Sequence, residues 1–393
     1  MNFIKFTKRK KITLLTTLIS LASVGILLAC QVPVFRYALE RWTVDPYELV
    51  IVPRAGGLTK GEEAALDFLK EASGSIDVPL NLKIRIDEKA ENSTNAAVAS
   101  LFYPGRIQGF ETKPIWKGNL TQEAAYQMVD SPLRRELAKR ILKGESSIWV
   151  LIESGDKAKD DAAAKMLEKE SARAQEELKI PDGVVGQNEL AAGAEAPANS
   201  DNILQSEVPL KIEFSLIRVK RLNKEEDIFL KMFLNLEDDL GEWSKEPMAF
   251  PVFGRGRVLE PLIGRGITPD NIMEHSGYLC GACSCEVKDQ NPGMDLLMAV
   301  NWDAAIDGSQ IIIDKVLPPL EGTAALLNAD KKSEGSPHKS TEKVEPVEDK
   351  GTPKAAAESK QGMMSYRTLL IALGGVVLIA ILGTVFLKRR KVS

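Results

Sequence analysis

The apolar positions of this chain fall twice into the same succession of patterns. Residues 47–52 (YELVIV) form a nearly continuous apolar run of strand length, the pattern of a buried strand. Residues 59–73 then repeat apolar side chains at helical spacing behind Thr59-x-x-Glu62, a capping box. Leu80, Leu82, Ile84 and Ile86 alternate with other residues and predict a second strand, and 97–103 with 113–117 predict a hairpin. A helix beginning at Ser131-Pro132, a cap with Pro at the first helical position, closes the series. The order restarts at 147–152 (SIWVLI), a strand. A long helix follows over 157–178, with Ala163, Met166, Leu167, Ala174 and Leu178 on one stripe. Next come a strand at 210–219 and a helix capped by Asn223-x-x-Glu226 that carries Ile228, Leu230, Phe233 and Leu234. Residues 248–253 and 257–263 predict a hairpin about Gly254-Arg-Gly256, and Thr268-Pro269 starts a further helix. A short amphipathic helix at 34–42 precedes the first series.

Two apolar runs at the ends do not belong to this pattern. Lys5, Lys8, Arg9, Lys10 and Lys11 precede an uncharged run over 12–29, which ends in Leu27-Leu28-Ala29-Cys30. That ending resembles the bacterial lipoprotein box, and the resemblance implies lipidation of Cys30 as the mature N-terminus. An uncleaved signal-anchor helix over the same run is the alternative, near the lower length limit for a span. Residues 368–387 are also uncharged. Twenty helical residues rise about 30 Å, the thickness of the hydrocarbon core. Lys388, Arg389, Arg390 and Lys391 follow at once, and positive flanks stay cytoplasmic. Both ends therefore predict a body on the extracytoplasmic side of a bacterial cytoplasmic membrane.

Composition narrows the classes. The 393 residues are 44% apolar and 27% charged with net charge −4, a globular balance without the basic domain that nucleic acid binding requires. Residues 330–365 contain one aromatic-free stretch rich in Lys, Glu, Ser, Pro and Ala, which predicts a disordered stalk. Residues 182–207 predict a long surface loop.

Both series run strand, helix, strand, helix or connection, hairpin, helix. That order resembles the thioredoxin-like fold, over 47–143 and again over 146–278. The resemblance implies an α/β class with two such domains in tandem. It also implies a proline before each hairpin, for which Pro247 and Pro251 are the candidates in the second. In that family the catalytic CxxC follows the first strand, where a helix N-terminus lowers a thiol pKa. Here those positions read Pro53-Arg-Ala-Gly-Gly-Leu-Thr59 and Glu153-Ser-Gly-Asp-Lys157, without cysteine. Non-catalytic modules of the family serve as spacers and binding surfaces.

The candidate chemistry lies beyond both series, in a small β unit at 279–320. His275, Cys280, Cys283 and Cys285 form a ligand set sufficient for Zn²⁺ or Cu(I). Cys280 and Cys283 alone read as a CxxC dithiol. Against both stands packing: 283–288 alternate as one strand of a hairpin with 294–302, placing Cys283, Cys285 and Val287 on its buried face. Arg255, Arg257 and Arg265 sit on Gly-rich turns and mark a weak anion or partner patch. No catalytic residue is assigned. The expected organisation is a signal or anchor (1–29), a lead helix (30–46), the two α/β domains, the Cys unit, the stalk, a transmembrane helix (368–387) and a cytoplasmic tail (388–393). The function it implies is a non-catalytic, membrane-tethered scaffold or binding protein, an accessory subunit of an envelope or transporter complex. The alternative is thiol-redox or Cu/Zn handling through the cysteines.

Overall fold

Helix α1 (Val34–Arg41) is amphipathic in sequence yet buried on nearly every side, from Val34 through Glu40. The computed structural model describes residues 30–90, 92–105, 113–283 and 287–307. These lie in one unit, Met1–Lys331, and a second unit, Lys332–Ser393, falls outside the described residues. So do the expected leader, the stalk, the transmembrane helix and the cytoplasmic tail. Among the described residues no helix is long and apolar enough to cross a membrane.

The first series builds a four-stranded sheet. After β1 (Tyr47–Val52) the chain crosses through α2 (Lys60–Gly74) to β2 (Leu82–Ile86), then runs β3 (Val98–Phe102), β4 (Trp116–Asn119), α3 (Gln122–Val129) and α4 (Pro132–Leu142). The strand order is β2-β1-β3-β4, with β1 parallel to β2 and antiparallel to β3, and β3 antiparallel to β4. The hairpin expected from 113–117 is displaced toward Asn119, because Trp116 rather than Lys113 pairs with Leu101.

The second series repeats this. It runs β5 (Ser147–Glu153), α5 (Lys157–Glu177), α6 (Gln187–Ala191), β6 (Phe214–Lys220), α7 (Asp227–Leu234), β7 (Met248–Phe253), β8 (Arg257–Val258), β9 (Leu262–Ile263) and α8 (Pro269–Cys280). Its strands lie in the order β6-β5-β7-β8, with the same directions as in the first sheet: β5 parallel to β6, β7 antiparallel to β5, β8 antiparallel to β7. A short strand, β10 (Met294–Asp295), adds antiparallel to β8, and α9 (Trp302–Ile306) ends the described chain. Pro251 sits in the interior of β7 opposite Trp149. Its carbonyl accepts from Leu259 N–H where the neighbouring strand breaks between β8 and β9, so its ring nitrogen faces that break and not β5. The peptide bonds before Pro247 and Pro251 are trans.

Packing joins what the sequence divides. Along β5 the side chains alternate: Ile148, Val150 and Ile152 face one core and Trp149 and Leu151 another. The first of these cores is continuous with the other sheet, since Leu49, Ile51 and Leu101 belong to it together with Phe229, Phe233 and Phe250. The two α/β series therefore share one core across the boundary at 143–146. Residues 294–302 stitch them further. Asn81 donates to Leu296 O and accepts from Met298 N–H, Tyr47 donates to Asp295 O at 2.8 Å, and Asn301 donates to Ile76 O.

The described residues of the expected hairpin of 283–288 with 294–302 pair elsewhere. Cys283 N–H donates to Val32 O at 2.9 Å, Val287 is 52% exposed, β10 pairs with β8, and Trp302 begins a helix. The local alternation is real, but partners outside the segment, Val32 for Cys283 and β8 for β10, take the hydrogen bonds that a hairpin would use. The loop over 182–207 is also more ordered than expected. It holds α6 and a Val185–Ile203 bridge, and its end is clamped to α1. Arg36 pairs with Glu40 at 2.8 Å and donates to Ser206 O, while Glu40 accepts from Gln205 and Ser206 N–H.

Candidate functional site

Three cysteines meet in one apolar cluster. Cys280 ends α8, where Gly281 stops the helix, and is 2% exposed. Residues 31–34 then pair antiparallel with 281–283, through Val34 N–H to Gly281 O at 3.0 Å and the Pro33–Ala282 bridge. This brings Cys30, 5% exposed, and Cys283, 1% exposed, into the cluster of Cys280 with Val32, Phe35, Phe253 and Leu279. Burial pushes the Cys280 thiol up to about 12, and its hydrogen bond with Ser146 offsets only part of that. A thiol so disposed carries almost no thiolate at neutral pH, and the thiolate is the nucleophile and the metal ligand. Cys285 lies outside the described residues.

His275 is turned elsewhere. It stands five residues before Cys280 on α8, so about 140° separates the two around the helix axis. Its Nδ1 donates to Asn271 O at 2.9 Å, its ring lies 6.0 Å from that of Trp149, and its Nε2 is 3.8 Å from Glu260 Oε1. Among the described residues no group of three or more His, Cys, Asp or Glu side chains is placed to hold a metal ion.

The arginine patch is corrected in two of its three members. Arg255 is buried and donates to Leu39 O at 2.7 Å and Glu40 O at 3.2 Å, with Asp303 at 2.8 Å. It thus satisfies carbonyls at the C-terminus of α1, which has no further turn to do so. Arg257 is buried against Trp42 and donates to Asp295, Asn291 O and Pro292 O. Each fork is filled by backbone or carboxylate, leaving nothing for an external anion. Arg265 is exposed on a short 3₁₀ turn.

The first strand-to-helix turn of each sheet, where the family resemblance places a CxxC, is closed by a carboxylate of the chain itself. In the first sheet Glu62 is 6% exposed. Its Oε2 accepts from Thr59 N–H at 2.7 Å and Thr59 Oγ1 at 2.9 Å, and its Oε1 from Ala97 N–H at 2.7 Å, just before β3. Burial alone would raise the Glu62 carboxyl. The N–H groups of Thr59 and Ala97, the Thr59 hydroxyl and the Arg54 charge outweigh it and hold the carboxyl below the ordinary range. In the second sheet Asp160, 3% exposed, accepts from Ser154 N–H and Oγ at 2.8 Å and from Gly155 N–H at 3.0 Å. Asp156 caps Ala158 and Lys159 N–H beside it. The positive ends of both crossover helices are therefore already neutralised from within. Sequence reading identifies Glu62 through its capping box. It passes over Asp160, whose only signal is an acidic residue in the first turn after Ser-Gly-Asp.

One cleft of about 210 Å³ lies between Leu236, Glu237, Val258, Leu259, Glu260, Gly293 and Met294. Burial and the charges of Asp239 and Glu260 raise the Glu237 carboxyl. The chain matches no protein-family model, no curated protein and no solved structure.

Proposed function

We propose that this chain is a non-catalytic scaffold or binding protein, tethered to the outer side of a bacterial cytoplasmic membrane and acting as an accessory subunit of an envelope or transporter complex. Its body is read as two degenerate thioredoxin-like units fused through one core. Support for that fold comes from the two sheets, which have the same strand order and the same strand directions. The observation that carries the function is the closure of both strand-to-helix turns by Glu62 and Asp160. The turn N–H groups are held by these two carboxylates, and Thr59 Oγ1 and Asp156 cap the helix starts beside them, so a substrate anion would bind there only by displacing groups of the chain itself.

The rival reading, a thiol-redox or Cu/Zn-handling protein, draws on the gathering of Cys30, Cys280 and Cys283 in one cluster. Elemental analysis and thiol counting, with and without reductant, on full-length protein isolated from membranes separate the two. The scaffold reading expects no stoichiometric metal and no change in thiol count on reduction. One metal per chain, or two thiols gained on reduction, overturns it.

A further inference from the structure

The uncharged run at 12–29 ends one residue before Cys30, and Val32 is already fully buried. Two extended residues reach about 7 Å. No spacer exists between the expected membrane segment and the packed body, whether the tether is a thioether lipid on Cys30 or the run itself. On the other side, residues 308–367 separate the body from the run at 368–387 and set no such limit.

The position of Cys30 in the fold fixes which end of the body this concerns. Cys30 shares its cluster with Phe214, the first residue of β6, and Phe253, the last of β7. Cys280, in the same cluster, bonds to Ser146 immediately before β5. Gln31 N–H donates to Asn202 Oδ1 at 2.6 Å, and Arg41 donates to Asp201 O and Ile203 O, so residues 201–203 flank this end. The opposite rim, where β5 and β6 finish and β7 starts, stands one strand length away, about 20–23 Å for the seven residues of β5. That rim carries Leu222, 90% exposed, and Trp243, 49% exposed. Arg221 donates to Glu246 O at 3.0 Å, which holds their two loops together.

We infer that a phospholipid bilayer covers the end of the second sheet where β5 and β6 begin, flanked by residues 201–203 and 281–283, and that the Leu222–Trp243 rim points away from the membrane. This rests on the membrane-tethered reading proposed above. The contact is set by the tether and not by charge: residues 182–207 carry Asp182, Glu189, Glu195, Asp201 and Glu207 and no Lys or Arg. Anionic lipid therefore does not strengthen it.

The test uses the full-length chain in phosphatidylcholine vesicles with a headgroup-linked energy acceptor. A donor fluorophore is carried on an unnatural side chain at Ser200 or Lys245, both exposed. Flotation is scored first. Energy transfer from Ser200 is expected to be at least twofold that from Lys245 and not increased by phosphatidylserine. A Gly/Ser insert of about 20 residues between Cys30 and Gln31, with a mean reach of about 25 Å, is expected to abolish the difference. Failure to float refutes the tethering and the inference with it. Flotation with equal transfer, with stronger transfer from Lys245, or with a difference that survives the insert refutes the orientation and leaves the tethering standing.

Discussion

Replacing Glu62 by Ala removes the acceptor that three donors share. Ala97 is fully buried, so its N–H loses its partner where water does not reach. An unsatisfied buried donor costs about 1–3 kcal/mol. Thr59 N–H and Oγ1 are nearer solvent and recover partly, so their loss is that of a capping box, about 1 kcal/mol. The sum is about 2–4 kcal/mol. For a body of this size each kcal/mol shifts Tm by about 2–4 °C, giving a fall of about 4–16 °C in a thermal melt followed by circular dichroism. Glu62→Gln keeps one acceptor but turns an NH₂ toward one of the same donors, and falls between wild type and Glu62→Ala. The two variants also differ from wild type in pH dependence. Because the folded carboxyl is held low, Glu62 contributes stability above its unfolded pKa, about 4.3. That contribution is lost as pH falls through the lower folded value. The wild-type advantage over Glu62→Gln should therefore be full at pH 7 and vanish in strong acid. A fall of under 2 °C for Glu62→Ala, or an advantage that does not change between pH 7 and pH 3, refutes the assignment of Glu62 as the closing group.

Three further outcomes follow from the packing. Arg255→Ala leaves the Leu39 and Glu40 carbonyls without their donor and should lower stability by about 2–4 kcal/mol in a denaturant titration. Arg255→Lys should recover only part of it. The Cys280 thiol, with its pKa pushed up to about 12, should resist alkylation at pH 8 in the folded protein and react once it is unfolded, as read by peptide mass spectrometry. Gly254 has φ +58°, and a Cβ there would lie 2.6 Å from the Cβ of Ala38. Gly254→Ala should cost about 2 kcal/mol or more by strain and overpacking together, measured as a shift of the denaturation midpoint.

The regular elements were legible because their signals are local. The capping box at Thr59, the Ser131-Pro132 and Thr268-Pro269 helix starts and the Gly254-Arg-Gly256 turn all occur where the sequence places them. The misreadings concern side chains whose partners are remote. Arg36 and Glu40 are charged residues of the amphipathic helix α1, yet both are buried because Gln205 and Ser206 complete their hydrogen bonds. Arg255 and Arg257 look like surface charges beside glycines, and only the return of α1 and of residues 291–295 supplies the acceptors that bury them. The alternation at 283–288 offers one partner locally, 294–302, but Val32 and Val258 compete for the same strands and win. Asp160 carries no motif, because its acceptor role depends on how the turn at 154–155 folds back over it.

The proposed scaffold role requires both closed turns and the cysteine cluster to be catalytically inert, which turnover of a disulfide substrate tests. The full-length protein, its Cys280→Ser/Cys283→Ser variant and a buffer blank are compared for reduction of a fluorogenic disulfide with excess dithiol. Equal rates in all three are predicted. Catalytic turnover by the wild type that disappears in the double variant would contradict it.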